Sequence, residues 1–182
     1  MMYPRMQGVT LVEALVVLVI VAVLTMLAAP SFVGMLQQMR TAAATNDLLA
    51  SMALARSEAV RRGGRMVLCV AATPTSCATT GSWQNGWLLF HDKNSNGVVD
   101  AAESVVQYHA PLAAEMVARG NSPVARYISY TGFGRSALLS GAIQAGTVYI
   151  CHRSAQPVDG RSIVLNASGR ARTSTWKPGV CS

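Results

Sequence analysis

A single carboxylate, Glu13, stands near the start of an apolar run that extends from Ala14 to Ala29 with only Thr25 interrupting it and is followed by Pro30. An ionised group inside hydrocarbon costs on the order of 2.5 to 3.5 kcal/mol on insertion scales, so the position must serve something that offsets the cost. Residues 9–29 are long enough to cross a bilayer, which takes about 20 residues at a rise of 1.5 Å. The residues ahead of them carry Arg5 as their only charge and end in Gly8. A secretory signal places a small-residue cleavage site after its apolar stretch, and no Ala-x-Ala-like site follows this one before Pro30. Cleavage after Gly8 would instead leave the apolar helix on the mature chain.

Gly8, Glu13 and Pro30 together resemble the leader region of type IV pilins and type II secretion pseudopilins. The resemblance implies that residues 1–8 are a leader removed by a prepilin peptidase, that the new N-terminus at Val9 is methylated, and that Glu13, the fifth mature residue, directs assembly. Val9 stands where the family usually has Phe or Met. Electrostatics agree with that role for Glu13, which lies one helical turn from the amine created at Val9 and at a helix end that favours anions. The same amine on a neighbouring subunit would set the axial register of a filament. The implied partners are other pilins through the N-terminal helix, the prepilin peptidase, and the inner membrane before assembly. The implied location is a single-pass inner-membrane protein with a periplasmic head, then an extracellular pilus.

The 182 residues leave room for the helix and one modest domain, with a formal net charge of +7. From Arg119 onward, Arg119, Arg126, Arg135, Arg153, Arg161, Arg170, Arg172 and Lys177 face Asp159 alone. Such asymmetry points to an anionic partner. The four cysteines form a near pair, Cys69 and Cys77, and a distant pair, Cys151 and Cys181. In an exported head disulfides are favoured; of the three possible connectivities, pairing each cysteine with its nearer partner is preferred. Zinc is disfavoured, because no Cys-x-x-Cys occurs and His91, His109 and His152 are scattered.

After Pro30, the apolar positions Phe32, Met35, Leu36, Met39, Ala43, Leu49, Met52 and Ala53 recur at helical spacing. The spacing predicts a kinked helix that continues to Arg62, ends at Gly63-Gly64, and uses its Met-rich stripe as core. Beyond it, β-like runs at 66–71, 87–91, 105–109, 127–130, 147–151, 162–166 and 170–173 alternate with turn residues, and no second long helix is evident. The expected fold is α+β: the lollipop of a long kinked N-terminal helix packed on a small antiparallel two-sheet head. Its expected parts are the leader 1–8, the membrane half of the helix 9–29, its amphipathic half 30–62 and the β-rich head 65–182. The loops 73–82 and 153–159 read as irregular.

The stretch from Ala55 to Arg62, followed by Trp83-x-x-Gly86-Trp87-x-x-Phe90-x-Asp92 and Asn94-x-Asn96-Gly97, resembles the FimT/GspH group of minor pilins and pseudopilins, which includes both pilus and secretion components. Within it, Asp92, Asn94, Asn96, Gly97, Asp100 and Glu103 satisfy a calcium-loop spacing. Strands rather than helices flank that loop, so a structural turn is the preferred reading, and neither metal nor cofactor is expected.

Gly169-Arg170-Ala171-Arg172 follows the run Ile163 to Asn166 across Ala167-Ser168-Gly169, which reads as a hairpin with glycine at the positive-φ position. On a strand from Arg170 to Thr173, both arginines would share a face about 7 Å apart and grip successive phosphates. Trp176 and Lys177 would add stacking and charge, with Arg161 and Arg153 extending the basic surface. This Gly-Arg-x-Arg resembles the C-terminal motif of those FimT-type pilins that bind DNA in natural transformation, and the resemblance extends to Gly169, Arg170 and Arg172. The alternative is a structural minor subunit that primes or caps a type IV pilus or a type II secretion pseudopilus. Catalysis is not expected, since the chain has no Gly-x-Ser-x-Gly elbow, zinc-protease histidine pair or phosphate-binding glycine loop. Intact-mass measurement of the protein extracted from membranes is expected to show a chain beginning at a methylated Val9; a chain beginning at Met1, or one lacking the apolar helix, would refute the leader.

Overall fold

The computed structural model describes residues 10–153, 159–177 and 181, with residues 27–31 described in backbone alone. Gly8 and Val9 lie outside the described residues, as does most of the loop expected at 153–159. The chain divides into two compact units, Met1–Leu36 and Gln37–Ser182.

In the first unit a helix, α1 (Leu11–Arg62), begins directly after Thr10. The Thr10 hydroxyl accepts the Glu13 N–H at 3.3 Å, as an N-cap side chain does for the third helical residue. The described side chains from Leu11 to Met26 are exposed in the isolated chain. Among the described residues no helix is long and apolar enough to cross a membrane. The expected span, 9–29, includes Val9 and residues 27–29, and these, like the kink expected at Pro30, rest on side chains outside the described set.

In the second unit α1 buries a narrow face made of Thr41, Ala44, Thr45, Leu48, Ser51, Met52, Ala55 and Ala59. This corrects the expected stripe. Met52 belongs to the core, but Met39 is 57% exposed and Ala43 and Ala53 face water. The chosen face is rich in small side chains, which let the sheets approach the helix backbone closely. Its hydroxyls are satisfied within the helix: Thr41 donates to Gln37 O (3.0 Å), Thr45 to Thr41 O (2.7 Å) and Ser51 to Asp47 O (2.9 Å). The helix stops at Gly63, whose φ of 62° is the left-handed C-terminal conformation.

Among the described residues the chain then forms nine strands: β1 (Arg65–Thr73), β2 (Ser76–Cys77), β3 (Trp87–Asp92), β4 (Val105–His109), β5 (Met116–Gly120), β6 (Tyr127–Tyr130), β7 (Gly146–His152), β8 (Gly160–Leu165) and β9 (Ala171–Trp176). They make two antiparallel sheets. In the first, β1 pairs with β3 on one edge and with β6 and β2 on the other, and β3 pairs with β4. The second has the order β5-β7-β8-β9. Neither β2 nor β5 was expected. β2 is a two-residue strand whose Cys77 closes a disulfide onto Cys69. β5 follows Leu112-Ala113-Ala114-Glu115, a run of helix formers whose preference is overridden once Met116 to Gly120 pair with β7.

Alternation sorts the first sheet cleanly. Met66, Leu68, Val70, Trp87 and Leu89 join the main core with the helix face and with Met116, Ala118, Val148, Ile150, Ile163 and Leu165 of the second sheet. Val67, Cys69, Leu88 and Phe90 form a smaller core on the opposite face, covered in part by Val99 and Leu139. The two fully buried indoles each spend their one donor, Trp83 on Val124 O (2.8 Å) and Trp87 on the Ser51 hydroxyl (2.9 Å). The disulfides Cys69–Cys77 and Cys151–Cys181 join each cysteine to its nearer partner, as expected. Replacing Leu48, which has no exposed surface, by Ala is expected to cost about 2 to 5 kcal/mol in urea unfolding of the detergent-solubilised chain. Met39→Ala, on the exposed face, should change it by less than about 0.5 kcal/mol.

Candidate nucleic-acid interface

β8 and β9 pair in unbroken register from Leu165 with Ala171 to Gly160 with Trp176. Their connection is a type I turn followed by a left-handed glycine. The Gly169 N–H donates to Asn166 O (2.9 Å), the Asn166 N–H donates to Arg170 O (3.0 Å), and Gly169 has φ +78°. The hairpin and its positive-φ glycine are therefore where the sequence placed them. The strand, however, begins at Ala171 rather than Arg170. The Arg170 N–H is taken by the Asn166 side-chain oxygen (3.0 Å) instead of the ladder, and the same oxygen accepts the Ser168 hydroxyl (2.8 Å).

The turn is clamped from two sides. Arg56 of α1 donates from Nε to Gly134 O (2.9 Å) and from Nη2 to Ser168 O (3.3 Å), while the Ser136 hydroxyl donates to Asn166 O (2.8 Å). Gly169 lies so close to the Gly134 carbonyl that a Cβ there would collide with it. Glycine is required twice over at this position, by its backbone angle and by contact.

Gly169, Arg170, Ala171 and Arg172 form one wall of a groove of about 880 Å³, and Leu49, Met52, Ala53, Arg56, Ser57, Val60 and Arg61 of α1 line it together with Tyr130. Burial pushes the Tyr130 hydroxyl well above its ordinary pKa, so this side chain is a neutral part of the lining. Arg61 and Arg62 both bind Glu58, at 2.6 and 2.7 Å, and their hydrogen bonds hold its carboxyl down to about 2. Those two cations are thus partly neutralised at any ordinary pH. Arg170 and Arg172 are exposed and, among the described residues, make no ion pair.

The remaining basic residues proposed from sequence are not gathered there. Arg161 sits opposite Thr175, Trp176 opposite Gly160, Lys177 follows β9 and Arg153 follows β7, all toward the other end of the hairpin. Arg172 and Trp176 share a face but are about 13 Å apart along the strand. Sequence reading missed Arg56, which braces the turn. Its partners are the backbone carbonyls of Gly134 and Ser168, so the sequence carries no signal of that role.

The loop between β3 and β4 has its polar groups engaged internally. Asp92 accepts the Asn96 and Gly97 N–H groups (3.1 and 3.0 Å), Asp100 accepts both the Asn94 and Asn96 amides (2.8 and 2.9 Å), and Glu103 accepts the Lys93 N–H (2.7 Å). Burial raises the Asp92 carboxyl above its usual pKa, against the lowering effect of the Gly97 N–H. Ser95, at φ 62°, and Gly97, at φ 75°, carry the left-handed turn.

Comparison with known proteins gives the fold a context. Residues 3–29 match the prokaryotic N-terminal methylation motif, and residues 44–169 match the family described as Type II transport protein GspH. No curated protein matches the chain. Among solved structures it is similar to the type IV minor pilin FimU of Pseudomonas aeruginosa (strain PAO1) in two crystal forms. One has 21% identity and a TM-score of 0.58, covering 80% of this chain and 98% of FimU; the other has 20% identity and a TM-score of 0.54, covering 77% and 98%. The likeness to FimU lies in the fold, a long N-terminal helix followed by an antiparallel two-sheet β head. With an N-terminal methylation motif ahead of a match that spans most of the chain, this protein belongs to the GspH family of minor pilins and pseudopilins.

Proposed function

We propose that this chain is a minor type IV pilin that binds DNA without sequence preference through the Gly169-Arg170-x-Arg172 hairpin and so supports DNA uptake in natural transformation. One observation carries the reading: two exposed arginines, without acidic partners among the described residues, stand on the hairpin that borders one groove, Arg172 on the face of β9 turned away from α1, and Arg56, Gly134 and Ser136 hold the turn in place. Guanidinium forks held this way suit phosphate oxygens, which carry no sequence information. Lys177, Arg161 and Arg153, further along the hairpin, extend the positive field, and Trp176 offers a stacking surface. Few contacts per subunit make monomer affinity low, so useful binding relies on several copies. In this reading the prepilin peptidase cuts after Gly8, Glu13 pairs with an N-terminal amine during assembly, and the chain moves from the inner membrane into a pilus.

The family match and the FimU fold also favour a second reading, a structural subunit that primes or caps a pilus or a type II secretion pseudopilus, with the basic surface against acidic neighbouring subunits. DNA affinity separates the two.

In a gel-retardation assay with duplex DNA and the full chain in non-ionic detergent, Arg170→Glu combined with Arg172→Glu is expected to abolish the shift. Unchanged retardation at an unchanged unfolding midpoint would remove the hairpin from the proposal. Gly169→Ala keeps both arginines but forces the turn off the Gly134 carbonyl, so both the unfolding midpoint and DNA affinity should fall. Full affinity in that variant would show that the fixed turn geometry is not needed.

A further inference from the structure

We propose that the outer face of the β5-β7-β8-β9 sheet is a stacking platform for single-stranded DNA, with Tyr149 as its exposed ring and Arg119 and Arg172 as flanking phosphate contacts. This rests on the DNA reading above and adds to it the strand state of the ligand and two residues outside the hairpin.

Register assigns the face. Ile163, Leu165, Val148 and Ile150 point into the core, so their neighbours in each strand point away from it. On that outer side Arg119 is paired across β5 and β7 with Tyr149, and Val164 is paired across β8 and β9 with Arg172. Tyr149 is 37% exposed and Val164 42% exposed, which leaves apolar surface in water in the middle of a four-stranded sheet. None of the four strands contains an Asp or Glu. Any anion laid across the sheet therefore meets cations on its outer strands and no carboxylate in the strands between.

The ring is built to stay in place. Tyr149 and Trp176 belong to strands separated by β8, yet their centroids are 4.9 Å apart at an angle of 49°. They meet because β8 contributes little bulk beneath them. Gly160 has no side chain, and a Cβ there would come within 2.8 Å of the indole; Ser162 is buried and 2.8 Å from the Ser174 hydroxyl. Trp176 packs in turn on Val117, Cys151 and Cys181, so the Cys151–Cys181 disulfide anchors it from behind. A ring held by such packing loses little freedom when a base stacks on it.

This arrangement discriminates by strand state. In a duplex the faces of each base are already stacked on neighbouring bases, whereas an unpaired base is free to lie on an aromatic ring whatever its identity. In the plane of the sheet Arg172 lies about 12 Å from Tyr149, and Arg119, one strand further on, about 16 Å from Arg172, a spread suited to a short run of backbone rather than to one phosphate.

The test compares a fluorescent thymidine oligonucleotide with its duplex of the same length, using the full chain in non-ionic detergent. Trp83 and Trp87 are fully buried, so quenching of protein fluorescence by the oligonucleotide reports on Trp176. The single strand is expected to bind more tightly than the duplex and to quench. Tyr149→Ala should weaken single-strand binding about tenfold while leaving duplex binding unchanged, and Tyr149→Phe should restore it. Equal effects on both ligands, or no effect, would overturn the platform while leaving the hairpin reading, which is scored on duplex DNA, in force. Failure of the unsubstituted chain to bind either ligand would overturn both.

Discussion

The narrow buried face of α1 is the constraint on which the β-rich unit depends. Ala44, Leu48, Met52, Ala55 and Ala59 enter one core with residues of both sheets, and each of the two sheets is completed by burying its inner face there. Small side chains on the helix permit close approach, and the Ser51 hydroxyl doubles as the acceptor for the buried Trp87 indole. That indole in turn stacks on His109 at 4.0 Å, which joins β3 to β4 by side chains as well as by backbone. A bulkier helix face would push the sheets outward and strand these donors without acceptors.

The same helix carries this order outward to the basic hairpin. Arg56 follows the fully buried Ala55, so its stem leaves the core at a fixed place and its guanidinium reaches two carbonyls on separate loops. Gly134 and Gly169 meet where neither admits much bulk, and Ser136 joins the turn to the strand-like bridge at Tyr130. The hairpin tip is thereby tied to the interior, although every one of its own arginines faces solvent.

Much of this was legible in the sequence for physical reasons. The helix end at Gly63, the disulfide pairs and the glycine of the β8–β9 turn each follow from a local rule that tertiary contacts did not override. The helix face did not. Met and Phe draw attention by size, whereas the structure buries alanine, threonine and serine, whose value is the closeness they permit rather than the area they cover. β5 was missed because its flanking residues favour helix and only pairing with β7 makes it a strand. The role of Arg56 was invisible because its partners, Gly134 and Ser168, are backbone carbonyls far away in the chain, and a carbonyl leaves no trace in a sequence. The Tyr149–Trp176 pair required knowing that β7 and β9 flank β8 with glycine at the crossing.

Charge counts therefore overstate what an anion would meet. Arg56 spends its donors on two carbonyls, Arg61 and Arg62 share one carboxylate, and Arg126 donates to Thr79 O. Each keeps its positive charge, but its forked donors already have partners, and re-aiming them would cost the loop contacts they make. Arg119, Arg170 and Arg172 carry the same group with no such obligation among the described residues. A formal charge of +7 resolves into a diffuse field that draws polyanions toward the head and a much smaller set of guanidinium groups free to close on them. Association rate should follow the first and residence time the second, which is why substitutions of braced and unbraced arginines are not equivalent even where they change the net charge alike.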